Sequence, residues 1–333
     1  MHHPRALGIA LAVTAAISFG LGPVLAKGLF DTGLGWLETV FWRFAIGALV
    51  SWIWLLTRPS SRRALRELSR HRWLVLAVIG SLMAANTSAY YAAIELVPVS
   101  LAALIQAIYP AIVAVLSVRF GHMAAGPRPW VALGMAIGGV ALVIGGFQVG
   151  GSAMGIVLAV LSPLIYAFVM VFSAQIAGER RGTTAASRTG GGPDTDSAVA
   201  AAVMLSAATA ALFAVSVVLG RPVGPTGIPT DAWPSLLVLG VVAGGLGMQA
   251  MYAATARIGA AQTALVDTLE PVSAVILAAI FLGERLEPVQ LLGGAIVLAG
   301  VVIAQTAPPG ARRGPIPAAD SGESGVRRDQ WRR

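Results

Sequence analysis

Apolar runs of about 20 residues recur along this chain from end to end, and a run of that length is what an α-helix needs to cross a bilayer. Of its 333 residues, 56% are hydrophobic and only 11% are charged, whereas a soluble domain carries about 25% charged residues. The sequence therefore predicts an all-α membrane protein with ten transmembrane helices. The predicted spans are 7–27, 36–57, 73–95, 99–119, 129–147, 153–177, 198–219, 235–256, 261–282 and 288–306.

The distribution of basic residues predicts the orientation of these spans. Of the 23 lysines and arginines, only Lys27, Arg221 and Arg285 lie near the outer ends of spans, and Arg43 lies within one. Because Lys and Arg concentrate in cytoplasmic loops, both termini are expected in the cytoplasm, in a multi-pass protein of the cell (inner or plasma) membrane. The net charge of +8 follows this loop pattern, so no nucleic-acid partner is expected.

The chain also repeats itself. Residues 90–141 fall on residues 251–302 without a gap when they are shifted by 161 positions, so that Tyr91 falls on Tyr252. The opening segments of the two halves match at a shift of 147 instead, and the difference fits an insertion in a polar loop. The chain is therefore expected to hold two five-helix repeats.

Composition sets the bounds of these units. The first repeat is predicted at 6–147 and the second at 153–306, with a flexible cytoplasmic loop at 178–197. The segment 308–333 is rich in Pro, Gly and charge and is expected to be a disordered cytoplasmic tail, since it has little apolar surface to bury. An alternative role for this basic tail is contact with anionic lipid.

An odd number of spans per repeat means that the second repeat enters the membrane with the opposite orientation. Inverted repeats of this kind are common in secondary transporters, whose substrate site lies near the midplane between the halves. The alternative is that two similar halves merely pack well together. The predicted fold is thus ten transmembrane helices arranged as two inverted five-helix repeats.

Two acids lie inside the ninth span, where placing a carboxylate in the membrane costs free energy, so such residues usually have a functional role. Asp267 and Glu270 are spaced i, i+3 and so share one face of the helix. The shift of 161 pairs them with Gln106 and Tyr109 of the fourth span. These four side chains are expected to meet across the pseudo-two-fold axis and to line a polar cavity.

A proline follows each of these pairs. Pro110 comes directly after Tyr109, and Pro271 comes directly after Glu270. Since proline lacks a backbone N–H and can kink a helix, both positions are predicted helix kinks that free a carbonyl at the depth of the cavity.

The closing stretch EPVSAVILAAIFLGERLEPVQLLGGAIVLAGVVIA, which begins at Glu270, resembles the end of the EamA domain in the drug/metabolite transporter superfamily. The opening is similar too, with Ser18-Phe19-Gly20 leading to Lys27 and then Trp42-Arg43-Phe44. The resemblance covers about residues 6–306 and implies a ten-helix secondary transporter, usually an exporter of small metabolites or drugs. The first repeat departs from the pattern, because Gly121-His122 stands where the second has Gly283-Glu284-Arg285.

Two interpretations of the acids remain open. In the first, Glu270, alone or together with Asp267, binds a cationic group of a substrate or a coupling proton. In the second, an acid forms a static ion pair that fixes helix register, with Arg43 as the obvious cation. Other polar side chains near the middle of their spans are expected either to complete the cavity or to make helix–helix contacts. These are Tyr90, Tyr91, Tyr166, Tyr252, Asn86 and Gln249.

Several further residues have structural interpretations. Lys27 is expected to extend to the outer surface, and Glu284 and Arg285 to cap or bridge helices in the outer turn. The Gly134 and Gly138 pair has the spacing that lets helices approach closely in lipid. It would serve either packing within the protein or a homodimer, so both a monomer and a homodimer are compatible with the sequence.

The leading functional prediction is a secondary active transporter and not an enzyme. It would move a small metabolite or drug, with a proton as the candidate coupling ion and the bilayer as its environment. Cysteine is absent, the four histidines lie outside the deep parts of the spans, and no P-loop surrounds Lys27, so no metal and no cofactor are expected. The alternatives are a lipid-handling or scaffold protein and an intramembrane enzyme without transport of a soluble solute.

Overall fold

The computed structural model describes residues 3–119, 127–146, 152–176 and 197–305. Within these ranges the chain is helical and contains no β-strand, which confirms the predicted all-α class. The predicted tail, nearly all of the predicted flexible loop, and the Gly121-His122 turn lie outside the described residues.

The helices follow the predicted spans, with one short addition in the first half. The first half contains α1 (His3–Phe30), α2 (Trp36–Leu56), α3 (Pro59–Arg66), α4 (Arg70–Leu96), α5 (Val99–Gln106), α6 (Tyr109–Arg119) and α7 (Arg128–Gly146). The second half contains α8 (Ala153–Ile176), α9 (Ser197–Leu219), α10 (Trp233–Val238), a π-helix (Leu239–Leu246), α11 (Gly247–Ile258), α12 (Ala260–Asp267), α13 (Leu269–Phe281) and α14 (Pro288–Gln305). The added helix, α3, is the arginine-rich segment that links α2 to α4.

Eight helical segments in the described ranges are long and apolar enough to cross a membrane, and two shorter apolar helices, Leu269–Phe281 and Pro288–Ala304, follow them. The chain is therefore a multi-pass membrane protein. The ninth predicted span is not one continuous helix, because it is interrupted at Thr268 between α12 and α13. The count of ten crossings stays a prediction.

Two helices are broken at equivalent places. The fourth predicted span divides between α5 and α6 at Ala107–Ile108, and the ninth divides at Thr268, which is 161 positions after Ala107. A proline follows each break, and it cannot donate to the carbonyl four residues earlier, on Gln106 or Asp267. Both breaks thus lie where the sequence predicted helix kinks.

Packing between the two halves follows the repeat. Helix α1 packs on α11 and α13, as its equivalent α8 packs on α4 and α6. Helix α2 packs on α9, and α7 packs on α14, so these equivalent helices pair directly with each other. The contacts of helices in the first half are thus repeated by the equivalent helices of the second half.

Helices α7 and α14 cross at glycines. A Cβ added at Gly139 would lie 2.6 Å from the carbonyl oxygen of Gly293, and one added at Gly300 would lie 2.9 Å from that of Ala132. The two contacts are related by the shift of 161. Small residues are needed here because the backbones are too close for a side chain.

The predicted packing pair, Gly134 and Gly138, does not take part in this crossing. Both residues are exposed on α7, and a Cβ added at either would have nothing within 4 Å. Of the two roles expected for this pair, packing within the protein is therefore wrong, and a contact in a homodimer stays a prediction. The face of α7 that contacts α14 instead contains Gly139, the residue that follows Gly138.

Candidate functional site

A cavity lies between the two halves, and every predicted span except the fifth contributes to its wall. Its empty volume is about 1470 Å³, including the part that is open to solvent. Most of the predicted pathway residues line it, namely Glu270, Asp267, Gln106, Tyr109, Arg43, Tyr252, Tyr166, Asn86, Pro110 and Pro271. Tyr91 and Gln249 are not part of the wall. The structure therefore brings side chains from distant parts of the sequence together at one place.

Arg43 is held by a tyrosine and not by an acid. Its Nη1 donates to the hydroxyl of the fully buried Tyr91 at 2.6 Å, and its Cζ lies 5.3 Å from the centre of the Tyr91 ring. The Nε of Arg43 is buried and has no hydrogen-bond partner. No ion pair joins Arg43 to Asp267 or Glu270 among the described residues, so the static pair considered from the sequence does not form. Tyr91 supports the guanidinium from behind the cavity wall.

The equivalent pair in the second half is uncharged. Met204 lies 161 positions after Arg43, and its Sδ is 3.7 Å from the hydroxyl of Tyr252. A thioether sulfur is only a weak acceptor. The same pair of positions therefore carries a strong, charged hydrogen bond in one half and a weak, neutral contact in the other.

Gln106 belongs to a buried polar cluster that the sequence did not reveal as a unit. The Oγ of Ser162 lies 2.7 Å from Oε1 of Gln106 and 2.8 Å from Oδ1 of Asn86. Ser162 is completely buried on α8, and its only signal in the sequence was a hydroxyl before Pro163 in an apolar run. The cluster joins α4, α5 and α8 through one hydroxyl group.

Asp267 has no equivalent of this support. Where Gln106 has Ser162 and Asn86, the positions related to these two by the repeat, each in the opposite half, hold Ala15 and Gly247. Neither residue offers a side-chain donor, and Oδ1 of Asp267 is buried without a hydrogen-bond partner. A buried polar atom without a partner is uncommon in proteins and calls for an explanation. Here the carboxylate faces a cavity in which a ligand or a proton could supply the missing interaction.

Glu270 lies in the first turn of α13 and lines the same cavity. Its side chain makes no hydrogen bond or ion pair in the described part of the chain, although its backbone carbonyl accepts from the Ser273 hydroxyl at 2.8 Å. On the other side of this helix, Leu269 and Ile276 are exposed. The Glu270 side chain therefore lies on the side of α13 that faces the cavity, and not on the exposed side.

Aromatic rings and thioethers form much of the remaining wall. Tyr109 and Tyr166 meet edge to face, with ring centres 4.6 Å apart. The chain has five tyrosines, and each either lines the cavity or, in the case of Tyr91, holds Arg43. The phenylalanines and methionines of the wall are Phe19, Phe44, Met83, Met204, Met248 and Met251. Such a wall suits organic molecules, because aromatic faces attract cations and methionines adapt to varied shapes.

Two predicted polar residues, Lys27 and Gln249, lie outside the cavity wall. The Nζ of Lys27 donates to the carbonyl of Ile94 at 2.7 Å, near the C-terminal end of α4, so the lysine binds this helix end and does not extend freely to the surface. Gln249 is buried on α11, and its Nε2 has no hydrogen-bond partner. The contact expected for Gln249 is therefore not made by that nitrogen.

Glu284 in the turn before α14 caps a helix of the other repeat. Its two carboxylate oxygens accept from the backbone N–H of Val99 at 2.8 Å and of Ser100 at 2.9 Å, and the Ser100 hydroxyl donates to it at 2.5 Å. These groups lie at the start of α5. The helix-capping role expected for this turn is confirmed for Glu284.

No group of three or more His, Asp or Glu side chains in the described ranges could hold a metal ion. Within the cavity wall, Asp267 and Glu270 are the acids and Arg43 is the basic residue. Chemistry at this place therefore rests on two carboxylates, one guanidinium and the tyrosine hydroxyls.

Comparison with known proteins agrees with this architecture. The model of the EamA-like transporter family matches residues 6–145 and 153–306, one match for each half. A solved crystal structure is similar to the chain with a TM-score of 0.59 and 19% sequence identity, and the similarity covers 90% of this chain and 96% of that one. At this level of identity the likeness shows the fold alone. The search of curated proteins found no match.

Proposed function

Because the chain belongs to the EamA-like transporter family, we propose that it is a secondary active transporter that exports a small metabolite or drug by alternating access. Export is the direction that the family resemblance favours. A membrane scaffold, a lipid-handling protein or an intramembrane enzyme is a weaker alternative, since the matching family is one of transporters. The cavity is the single observation that carries the proposal.

The proposed topology has ten crossings, with the second five-helix repeat inverted relative to the first. An odd number of crossings per repeat requires this inversion, and the packing of α1 on α11 and of α8 on α4 supports a pseudo-two-fold relationship. The basic loops then place both termini in the cytoplasm. The domain bounds 6–147 and 153–306 remain the proposed repeats.

The broken helices provide a route for alternating access. In many transporters the site is formed by discontinuous helices, and the two halves rock about it. Here the breaks at Ala107–Ile108 and Thr268 adjoin Gln106, Asp267 and Glu270, which line the cavity. Movement at either break would change the access of solvent to these side chains without unpacking a whole helix.

Asp267 and Glu270 are proposed to couple transport to a proton. Neither carboxylate is neutralised by an ion pair in the described structure, and Oδ1 of Asp267 lacks any partner. An ionisable residue inside the membrane that faces a cavity is the usual element of a proton relay. Protonation on one side of the membrane and release on the other would tie substrate movement to the proton gradient.

Transport can be tested after a thermal-shift screen of the purified protein against metabolites and toxic compounds. Compounds that stabilise the protein are then assayed for movement into or out of proteoliposomes. Met251→Trp places a larger side chain in the cavity and is expected to lower transport by about tenfold or more, because binding of the solute requires the open volume. Leu246→Trp, at an exposed position one helical segment earlier, is the matched control and is expected to retain transport.

Two results would contradict the proposal. Failure of every stabilising compound to move in proteoliposomes would favour a scaffold or lipid-handling role. Full transport with unchanged pH dependence in both Glu270→Gln and Asp267→Asn would remove the two acids from the coupling mechanism.

A further inference from the structure

A basic surface lies on the short helix α3 and on the two helix ends that it joins. Residues 58–72, here called the α3 segment, contain six arginines and a single acid, Glu67. The arginines are all exposed, and they are Arg58, Arg62, Arg63, Arg66, Arg70 and Arg72. No residue of the α3 segment lines the cavity between the halves, so contact with a solute in the cavity does not explain this charge.

The apolar side of the α3 segment holds it against the rest of the protein. Ala64, Leu65 and Leu68 are half-buried and pack against a core cluster that includes Leu55 of α2. Their spacing places them on one face of a helix. Because this face is packed, the arginines on the opposite face are presented at the surface.

Three of the arginines form a ridge of like charge. Arg62 and Arg66 are neighbours one turn apart on α3, and Arg58 directly precedes the helix. Like charges at this spacing destabilise a helix. In the described ranges no acid forms an ion pair with any of the three, and the Cζ of Arg58 instead lies 4.2 Å from the centre of the Trp54 ring. The ridge therefore carries positive charge that no acid in direct contact neutralises.

The α3 segment lies at the level expected for lipid headgroups. Trp54 near the end of α2 and Trp73 near the start of α4 are both exposed, and tryptophans at the ends of spans favour the membrane–water interface. Arg58 follows Trp54 by four residues, and Arg70 precedes Trp73 by three. The arginines are thus about one helical turn beyond the interfacial rings, where the phosphate groups of lipids are found.

The internal repeat does not require a basic segment here. Residues 219–233, which lie 161 positions later, contain one arginine, Arg221, and one acid, Asp231. Nη2 of Arg221 is 3.3 Å from Oε1 of Glu38, so its charge is paired. The second half therefore makes the same link between two helices without a cluster of unpaired basic residues.

Other segments on the same proposed side of the membrane do not complement this charge. The segment 308–333 contains six arginines and three acids, and the segment 178–197 contains three of each. Neither segment carries a net negative charge. An anion that complements the ridge is therefore expected to come from outside the chain.

We propose that the α3 segment is a binding surface for an anionic phospholipid, whose phosphate group is bound by Arg58, Arg62 and Arg66. Guanidinium groups match phosphate oxygens with paired hydrogen bonds, and basic segments beside a membrane attract anionic lipid. On the topology proposed above, the lipid belongs to the cytoplasmic leaflet. Both α2 and α4 contribute to the cavity wall, so a lipid bound at their link would hold together the ends of two helices that form the cavity.

The absence of cysteine from the sequence allows a label at one chosen place. Ser60→Cys puts an environment-sensitive fluorophore at an exposed position of α3, and Thr226→Cys puts it at an exposed position of the equivalent segment in the second half. The full-length protein in neutral detergent is titrated with phosphatidylglycerol, phosphatidylcholine, inorganic phosphate or polyglutamate. The label at residue 60 is expected to give a saturating response to phosphatidylglycerol that weakens as salt is raised. The label at residue 226 is expected to respond little.

Charge removal on the ridge is expected to abolish most of this binding. Arg58→Gln, Arg62→Gln and Arg66→Gln together should weaken the affinity for phosphatidylglycerol about a hundredfold, since each arginine near a membrane surface contributes about fivefold. The corresponding triple change to lysine keeps the charge and should retain most of the affinity, which separates loss of charge from loss of folding.

A matched control comes from another basic residue at the membrane interface. Arg128 is exposed at the start of α7, two residues before the exposed Trp130, and it lies on the same side of the membrane in the proposed topology. Because Arg128 stands outside the α3 segment, Arg128→Gln is expected to leave the response at residue 60 unchanged.

Four results would overturn the proposal. They are an equal response to phosphatidylcholine, a response to inorganic phosphate as strong as that to phosphatidylglycerol, a response to polyglutamate alone, and unchanged affinity in the triple glutamine variant. Polyglutamate alone would indicate an acidic protein partner in place of lipid. Binding in detergent requires neither transport nor a particular orientation, so failure of this test leaves the proposed function standing. Failure of every compound to move in proteoliposomes would likewise leave the lipid surface standing.

Discussion

Nη1 of Arg43 lies 2.6 Å from the hydroxyl of Tyr91. The residues at the equivalent positions of the second half, Met204 and Tyr252, are in contact at 3.7 Å between sulfur and hydroxyl. Two nearly symmetric halves thus use the same positions for different chemistry. Residues that differ between the two halves determine the charge in this cavity, whereas the helices around it are arranged alike in both halves.

Tyr91→Phe is expected to destabilise the protein by about 1.5–3 kcal/mol, the usual contribution of a hydrogen bond to a charged group. The change leaves Nη1 of Arg43 without its partner, next to an Nε that already has none. Tyr252→Phe is the matched control, because its hydroxyl meets only a weak acceptor. Thermal unfolding in detergent compares the two, and equal losses of stability would show that the Arg43 contact contributes no more than the Met204 contact.

Glu284→Gln is expected to destabilise the protein by about 1–2 kcal/mol, since the carboxylate caps the start of α5 and interacts with its positive end. The three hydrogen bonds to Val99 and Ser100 cross between the repeats, so the loss should also loosen the contact between α5 and the turn before α14. The control is Glu287→Gln, whose side chain makes no hydrogen bond in the described structure. A melting temperature unchanged in Glu284→Gln would contradict the capping role.

Gly139→Ala is expected to destabilise the α7–α14 crossing by about 1–3 kcal/mol, the usual cost of overpacking. A Cβ here would lie 2.6 Å from a backbone oxygen of Gly293, which cannot rotate away as a side chain could. Gly138→Ala, the adjacent position with nothing within 4 Å, is expected to be neutral or slightly stabilising. Thermal stability in detergent checks both, and a loss only in Gly138→Ala would reverse the assignment of the packing face.

Ser162→Ala is expected to destabilise the protein by about 1–3 kcal/mol, because the amides of the buried Asn86 and the half-buried Gln106 lose a shared hydrogen-bond partner. Its Oγ connects Gln106 and Asn86 across three helices. Ser81→Ala is the control, since among the described residues the Ser81 hydroxyl donates to the Ala77 carbonyl of its own helix alone. Similar melting temperatures for the two variants would show that the cluster adds nothing to stability.

The site was predictable from the sequence in part. Asp267 and Glu270 stood out because charges are rare within apolar spans, and the repeat supplied Gln106 and Tyr109 as counterparts. Ser162 could not be found this way, since one hydroxyl in an apolar run is common and its two partners lie 56 and 76 positions away. One sequence-based alternative also gave Arg43 the wrong partner, an acid. Composition alone cannot show whether a tyrosine or an acid lies next to the guanidinium.

By itself, the sequence determined that the chain is a helical membrane protein, that it consists of two similar halves, and that it bears two costly acids. These properties follow from local features, namely hydropathy, periodicity and the positions of proline and charge. Only the tertiary structure decided which face of α7 packs, that Glu284 caps α5, and that Asp267 lacks the support given to Gln106. Those outcomes depend on which side chains from distant helices meet, and contacts between helices are set by packing in three dimensions.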